Sequence, residues 1–195
     1  MDCGELHIIS GPMFSGKTSS LLNKLYRDNA IGLKVIYINH FIDDRNNKSF
    51  STHNPIFNNN IEEKGIKFVK GDDLKNLLDL INNFDVVGID EAQFFLDLLK
   101  VVPFIVEKLG KKVYVAGLDG TYERLPFGDI YKLIPLSDSF TKLHSYCKRC
   151  SEKEPKIISK ALFTHRINDS KYEIDVGGID KYIPVCRKCY IELNK

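Results

Sequence analysis

The stretch GPMFSGKT at residues 11 to 18 restricts this chain more than any other feature. It satisfies G-x-x-x-x-G-K-[ST], and the short apolar run LHIIS precedes it while leucines 21, 22 and 25 with Tyr26 recur at helical spacing after it. A buried strand, a tight turn and an amphipathic helix are therefore expected in that order. In that setting Gly11 and Gly16 let the backbone bend so that successive N–H groups and the helix N-terminus converge on phosphate oxygens. Met13, Phe14 and Ser15 form the body of the loop. Lys17 adds a mobile positive charge, and Thr18 offers a hydroxyl to Mg2+.

A second apolar run, FDVVGID, ends in two adjacent carboxylates, Asp90 and Glu91, followed by Ala92 and Gln93. Successive residues of a strand face opposite ways, so the two acids have different tasks. Asp90, at the end of the strand, fits the carboxylate that holds a phosphate-bound metal ion; capping the helix that follows is its plainer alternative. Glu91 either orients a water, which makes an NTPase, or accepts the proton of a substrate hydroxyl, which makes a kinase. Position alone leaves both open.

Further runs, KVIYIN, IKFVK and KVYVAGL, alternate with helical segments, one starting near Asp72 or Asp73 and one spanning 94 to 109 with Pro103 as an expected kink or break. Strand and helix in alternation predict an α/β fold, a parallel sheet of the P-loop NTPase type covered by helices. Residues 40 to 65 read as a long loop. Beyond Leu118 the texture changes, and the expected division is a nucleotide-binding domain over 1–140 and a smaller domain over 141–195.

Four of the five cysteines fall in two C-x-x-C elements, Cys147/Cys150 and Cys186/Cys189. In a reducing compartment this pattern reads as a tetrahedral thiolate site for a structural Zn2+; a redox pair or four inert thiols are the alternatives. About 35 residues separate the two elements, an excursion clipped at its base.

Lys and Arg total 28 against 26 Asp and Glu. This near balance leaves no basic stripe for long nucleic acid. The start, MDCGELHIIS, lacks the pattern of a signal peptide and no stretch has the length of a membrane span, so a soluble cytoplasmic protein with no membrane partner is expected. The letters DEAQ suggest a helicase or other strand-remodelling ATPase, but 195 residues do not hold two motor domains. A purely structural zinc-ribbon binding module would leave the phosphate loop without a task.

Taken together, GPMFSGKT, the Asp-Asp-Arg cluster ending at Arg45, IDEAQFF, GLDGTYERLPFG, KLHSYCKRC and VGGIDKYIPVCRKCY resemble, in order and rough spacing, the compact zinc-containing thymidine kinases, especially their poxviral and cellular cytosolic members. The likeness spans nearly the whole chain. It implies transfer of the γ-phosphoryl group of ATP to the 5′-hydroxyl of thymidine, and of deoxyuridine, with Mg2+ and a structural Zn2+. It implies Glu91 as the general base, Asp43 and Arg45 near the sugar and phosphates, and Gln93 on the sugar or base side. It also implies a thymine pocket of Met13, Phe94, Leu118, Thr121, Phe127, Thr164 and Tyr182. The excursion between the cysteine pairs corresponds to the family's lasso, whose backbone at Glu173, Ile174, Asp175, Val176 and Gly177 hydrogen-bonds the pyrimidine. A homotetramer is implied as well. Asn46, Glu123, Leu125 and Asp175 depart from the family's usual residues, which bears on loop closure and substrate breadth.

Overall fold

The computed structural model describes residues 3–42, 61–154, 158–168, 177–178 and 180–195. Six strands, β1 (Glu5–Ser10), β2 (Val35–His40), β3 (Ile66–Gly71), β4 (Val86–Ile89), β5 (Lys112–Gly117) and β6 (Ser139–Lys142), form one sheet in the order β3-β2-β4-β5-β1-β6. Every pairing in it is parallel. The period-2 alternation sorts the side chains cleanly. Leu6, Ile8, Ile36, Ile38, Val87, Ile89, Val113 and Val115 enter one apolar cluster, and Ile9, Val35, Tyr37, Val86, Tyr114 and Ala116 enter the other. A sheet buried on both sides is what the near-continuous apolar strands required.

Helix α1 (Lys17–Ala30) covers the second cluster with Leu21, Leu22 and Leu25. Gly88 in β4 allows this contact, because a Cβ there would stand 2.6 Å from a methyl of Leu25. The opposite face is covered by α2 (Leu78–Ile81), by α3 (Leu98–Glu107) and by a 3-10 segment at Ile130–Leu136. A 3-10 turn at Leu74–Leu77 leads into α2, and Asp73 caps it by accepting from the Lys75 amide at 2.9 Å.

α3 departs from expectation in where it begins, and of the kink or break expected at Pro103 the break is absent. It starts at Leu98, after a separate 3-10 turn at Ala92–Phe94, and Pro103 lies inside it without ending it. A proline in a helix interior costs about 3 kcal/mol. Leu98, Val101, Val102 and Ile105 are all buried, and at roughly 1.5 to 3 kcal/mol each they outweigh that loss.

After the sheet, the cysteine-bearing lobe is built from short pieces: β7 (Ser145–Tyr146), α4 (Lys148–Lys153), β8 (Lys160–Ala161), β9 (Phe163–Arg166), β10 (Tyr182–Val185) and α5 (Arg187–Leu193). β7 pairs with β8 and β9 with β10, both antiparallel. Cys147, Ala161, Val185, Cys189 and Tyr190 make its small core. Among the described residues, no helix is long and apolar enough to cross a membrane.

Candidate active site

The chemistry-bearing residues gather at the C-terminal ends of the parallel strands, where open α/β sheets bind ligands. The loop from β1 to α1 turns at Gly11, whose φ of 151° suits glycine and where a Cβ would stand 2.7 Å from the Leu143 carbonyl oxygen. Gly16, in the left-handed region, is the residue before α1 and offers no side-chain cap to the first turn, which also carries no acidic residue. A helix start without an acidic residue or a side-chain cap of its own suits a phosphate site. The Lys17 ammonium donates to the Pro12 carbonyl at 2.9 Å, and the Met13 amide donates to Thr164 Oγ at 3.0 Å, tying the loop to β9.

Asp90 follows β4 and continues the face of Val86 and Gly88, toward α1. Its carboxylate is almost wholly buried. The Tyr37 hydroxyl donates to Oδ2 at 2.8 Å and the Glu91 amide to Oδ1 at 2.9 Å. Burial and the neighbouring Glu91 push Asp90 up to about 6, against hydrogen bonds from Thr18 and Tyr37 that favour its charged form. A buried carboxylate beside a threonine hydroxyl at the mouth of a phosphate loop is an all-oxygen donor set, and it fits Mg2+.

Glu91 does not prolong the strand. Its φ of 50° turns the chain left-handed, so strand alternation does not govern its side chain. Gln93, 3% exposed, donates through Nε2 to Glu91 Oε2 at 2.7 Å, and its Oε1 accepts from the Leu118 amide at 2.9 Å. Beside them, the rings of Phe94 and Phe127 meet edge-on at 5.4 Å. His40, at the end of β2, lies 5.7 Å from the Phe94 ring and 4.8 Å from that of Phe95. Burial lowers the pKa of His40, against the opposing pull of Asp72 and Glu91.

The three non-glycine residues of positive φ among the described residues are Phe14, Glu91 and Arg124. Each sits in a loop of this region. Such conformations cost about 1 to 3 kcal/mol and persist where the surroundings over-determine them, as at functional sites.

On β9 the alternation divides two duties. Thr164 and Arg166 are buried toward the phosphate loop and the 119–128 loop, while Phe163 and His165 face Tyr190 of α5. The Arg166 guanidinium lies 3.8 Å from the Tyr122 ring centroid and donates to the Tyr182 hydroxyl at 3.0 Å. The Tyr190 hydroxyl in turn donates to the Tyr122 carbonyl at 2.7 Å.

The four cysteine sulfurs all lie within 4.8 Å of one another. Cys150 Sγ is 3.8 Å from Cys186 Sγ and 3.6 Å from Cys189 Sγ. A tetrahedron with Zn–S of about 2.3 Å has S···S edges of about 3.8 Å, which the two Cys150 distances match, so the cluster is compatible with zinc. Burial pushes the Cys147 and Cys189 thiols up, while Ser159 and neighbouring thiols hold Cys150 down.

Of the residues expected from sequence, the phosphate loop, Asp90, Glu91, Gln93, Phe94, Leu118, Thr121, Phe127, Thr164, Tyr182 and the four cysteines have described positions. Gly177 is described near Lys181. Asp43, Arg45, Glu173, Ile174, Asp175 and Val176 lie outside the described residues. Tyr37, His40 and Arg166 were not anticipated. Tyr37 reaches Asp90 only because β2 and β4 are neighbours, which no local pattern announces; His40 carries the faint signal of a polar residue closing an apolar strand.

This fold and loop define a P-loop nucleotide-binding α/β protein. The solved flagellar accessory protein FlaH of Methanocaldococcus jannaschii shares the fold, with a TM-score of 0.51 at 14% identity over 75% of this chain and 73% of that one. More narrowly, the thymidine kinase family model matches residues 4–190, and the chain belongs to that family. The fowlpox virus (strain NVSL) thymidine kinase is 37% identical over 97% of this chain and 98% of its own length. The sheeppox virus (strain KS-1) thymidine kinase is 38% identical over 97% and 98%. Thymidine kinase a of Arabidopsis thaliana is 42% identical over 96% of this chain and 75% of that protein.

Proposed function

We propose that this chain is an ATP-dependent kinase that phosphorylates the 5′-hydroxyl of thymidine, and of deoxyuridine, to give the 5′-monophosphate in cytoplasmic deoxynucleotide salvage. The observation that carries the reading, beside family membership, is the divided orientation of the adjacent carboxylates. Asp90 is buried toward Thr18 and α1, and Glu91 turns out of the strand and accepts from Gln93, whose other end accepts from the Leu118 amide.

In this reading the backbone of Gly11, Met13, Phe14, Ser15 and Gly16 cradles the donor's phosphates, and Lys17 neutralises them. Thr18 and Asp90 hold Mg2+, which supplies charge neutralisation at the phosphoryl oxygens. Glu91 accepts the 5′-hydroxyl proton as the new O–P bond forms and the bond to ADP breaks. A carboxylate of ordinary strength suffices, because the transition state is loose and the proton leaves late. Positioning outweighs basicity.

The nucleoside pocket comprises Met13, Phe94, Leu118, Thr121, Phe127, Thr164 and Tyr182, completed by Asp43, Arg45 and the 173–177 backbone. Discrimination of thymine from cytosine then rests on donor and acceptor pattern, which a site built of main-chain groups supplies. The four cysteines hold a structural Zn2+ that fixes both ends of the segment covering the base, lowering the entropy of ordering it. The lobe over 141–195 is thus a clamp on the nucleotide-binding part over 1–140. Subunits assemble as a homotetramer, for which exposed Phe104, Tyr131, Ile134, Leu136 and Phe140 supply apolar surface.

The test is ADP release from ATP and Mg2+ with thymidine, deoxyuridine, deoxycytidine, deoxyguanosine, single-stranded DNA or nothing added, with the product identified by mass. Release with thymidine that yields its 5′-monophosphate is expected. DNA-stimulated release of inorganic phosphate would overturn the reading and make Glu91 a water-positioning residue.

A further inference from the structure

We infer that Gln93 is the positioning residue for the base, a rigid bridge between the Glu91 carboxylate and the Leu118 backbone. The inference rests on the role given to Glu91 above. Both ends of the Gln93 amide are engaged, Nε2 with Glu91 Oε2 at 2.7 Å and Oε1 with the Leu118 amide at 2.9 Å. A flipped amide would set oxygen against carboxylate and NH2 against N–H, so these partners impose a single orientation.

The surroundings hold the bridge equally tightly. A Cβ at Gly117 would stand 2.6 Å from Gln93 Oε1, and one at Gly128 would stand 2.2 Å from the Gln93 carbonyl oxygen. Two glycines thus admit the glutamine at contact distance from both its side chain and its backbone, and Gly128, at φ 59°, also needs glycine's conformation. Glu91 itself carries a long side chain from a left-handed backbone position in a half-buried setting. Without Gln93 its carboxylate loses a charge-assisted hydrogen bond that restricts its rotamers.

The bridge has a second consequence. It links the turn after β4, which carries the base, to the first residue after β5, which begins the proposed thymine pocket. Placement of the hydroxyl and placement of the acceptor for its proton then depend on one side chain. Misplacing a catalytic group by about 1 Å can cost about 10^2-fold in rate.

The test uses the full chain with two variants. Gln93→Glu keeps the size and the acceptor for Leu118 but sets a carboxylate against Glu91; Gln93→Met keeps the length and removes both polar ends. For both variants kcat at neutral pH should fall roughly 10- to 100-fold, within the worth of a general base, with thymidine KM changed less than about threefold.

An undiminished kcat, or a loss confined to KM, in either variant overturns the inference and leaves Gln93 as a substrate contact. Should Gln93→Glu not fold, the split between kcat and KM in Gln93→Met decides alone. Wild-type turnover in Glu91→Gln would remove the base itself and this inference with it. A large loss in Glu91→Gln beside an undiminished kcat in both Gln93 variants would remove only the inference.

Discussion

Replacing Asp90 by asparagine should stabilise the nucleotide-free protein while abolishing its activity. Burial first, and Glu91 second, raise this carboxyl from 3.8 to about 6. For an acid raised in the folded state, the penalty is absent while the group is protonated in both states. It accrues as pH rises from the unfolded value and is complete above the folded one. At about 1.4 kcal/mol per pH unit, the displacement from 3.8 to about 6 amounts to about 3 kcal/mol. Asparagine removes the charge, but with its Oδ1 kept on the Glu91 amide its NH2 faces the Tyr37 hydroxyl, which then has to stop donating to residue 90 and turn to accept. That mismatch forfeits roughly 1 to 2 kcal/mol. The expected net gain is about 1 to 2 kcal/mol above pH 6, or some 2 to 8 °C in Tm for a chain of this size. Thermal unfolding of both proteins at pH 5, 6.5 and 8, free of nucleotide and Mg2+, measures it as a difference in which shared titrations cancel. The advantage should be full at pH 8 and shrink toward pH 5, while thymidine-dependent ADP release falls by about 10^2 or more. A variant less stable than wild type at pH 8, or an advantage that grows on acidification, would refute the argument that Asp90 is a strained buried charge kept for its ligand.

Three further outcomes follow from the same geometry. Glu91→Gln should lower turnover by about 10^2 to 10^4 with ATP affinity and Tm preserved, measured by steady-state kinetics and nucleotide titration; undiminished turnover would end its role as base. Cys186→Ser, or chelation of zinc, should raise thymidine KM before ATP affinity changes, and metal-depleted yet folded protein with an unchanged KM would break the link between the cysteine site and the nucleoside. Gly128→Ala, with φ at 59° and a Cβ 2.2 Å from the Gln93 carbonyl oxygen, should cost at least about 1 to 3 kcal/mol, read as a lowered Tm; a Tm equal to wild type would show that the loop yields freely.

Much of the frame was legible in the residues because it rests on local patterns. The strand before GPMFSGKT, the helix after it and the strand DVVGID all follow from apolar periodicity, and the two C-x-x-C elements do converge. What escaped depends on backbone turns and on neighbours across the sheet. Glu91 was expected to oppose Asp90 by strand alternation, but β4 stops at Ile89 and a left-handed residue redirects it. The helix expected from residue 94 starts only at Leu98 because Ala92–Phe94 forms its own turn. The contact of Tyr37 with Asp90 required knowing that β2 lies beside β4. Arg166 is a buried cation among tyrosines on a four-residue strand, too short for its periodicity to stand out.

The sheet order carries a consequence for how the chain is made. β1 is paired on both sides by late strands: Glu5 aligns with Lys112 of β5, a separation of 107 residues, and His7 aligns with Ser139 of β6. At translation rates of about 5 to 20 residues per second, β1 waits roughly 5 to 20 s for its first partner. The phosphate loop waits longer still, since the Met13 amide gains Thr164 only 151 residues on. An apolar strand is therefore held open for most of synthesis, with its hydrogen-bonding edges exposed until its own sheet arrives.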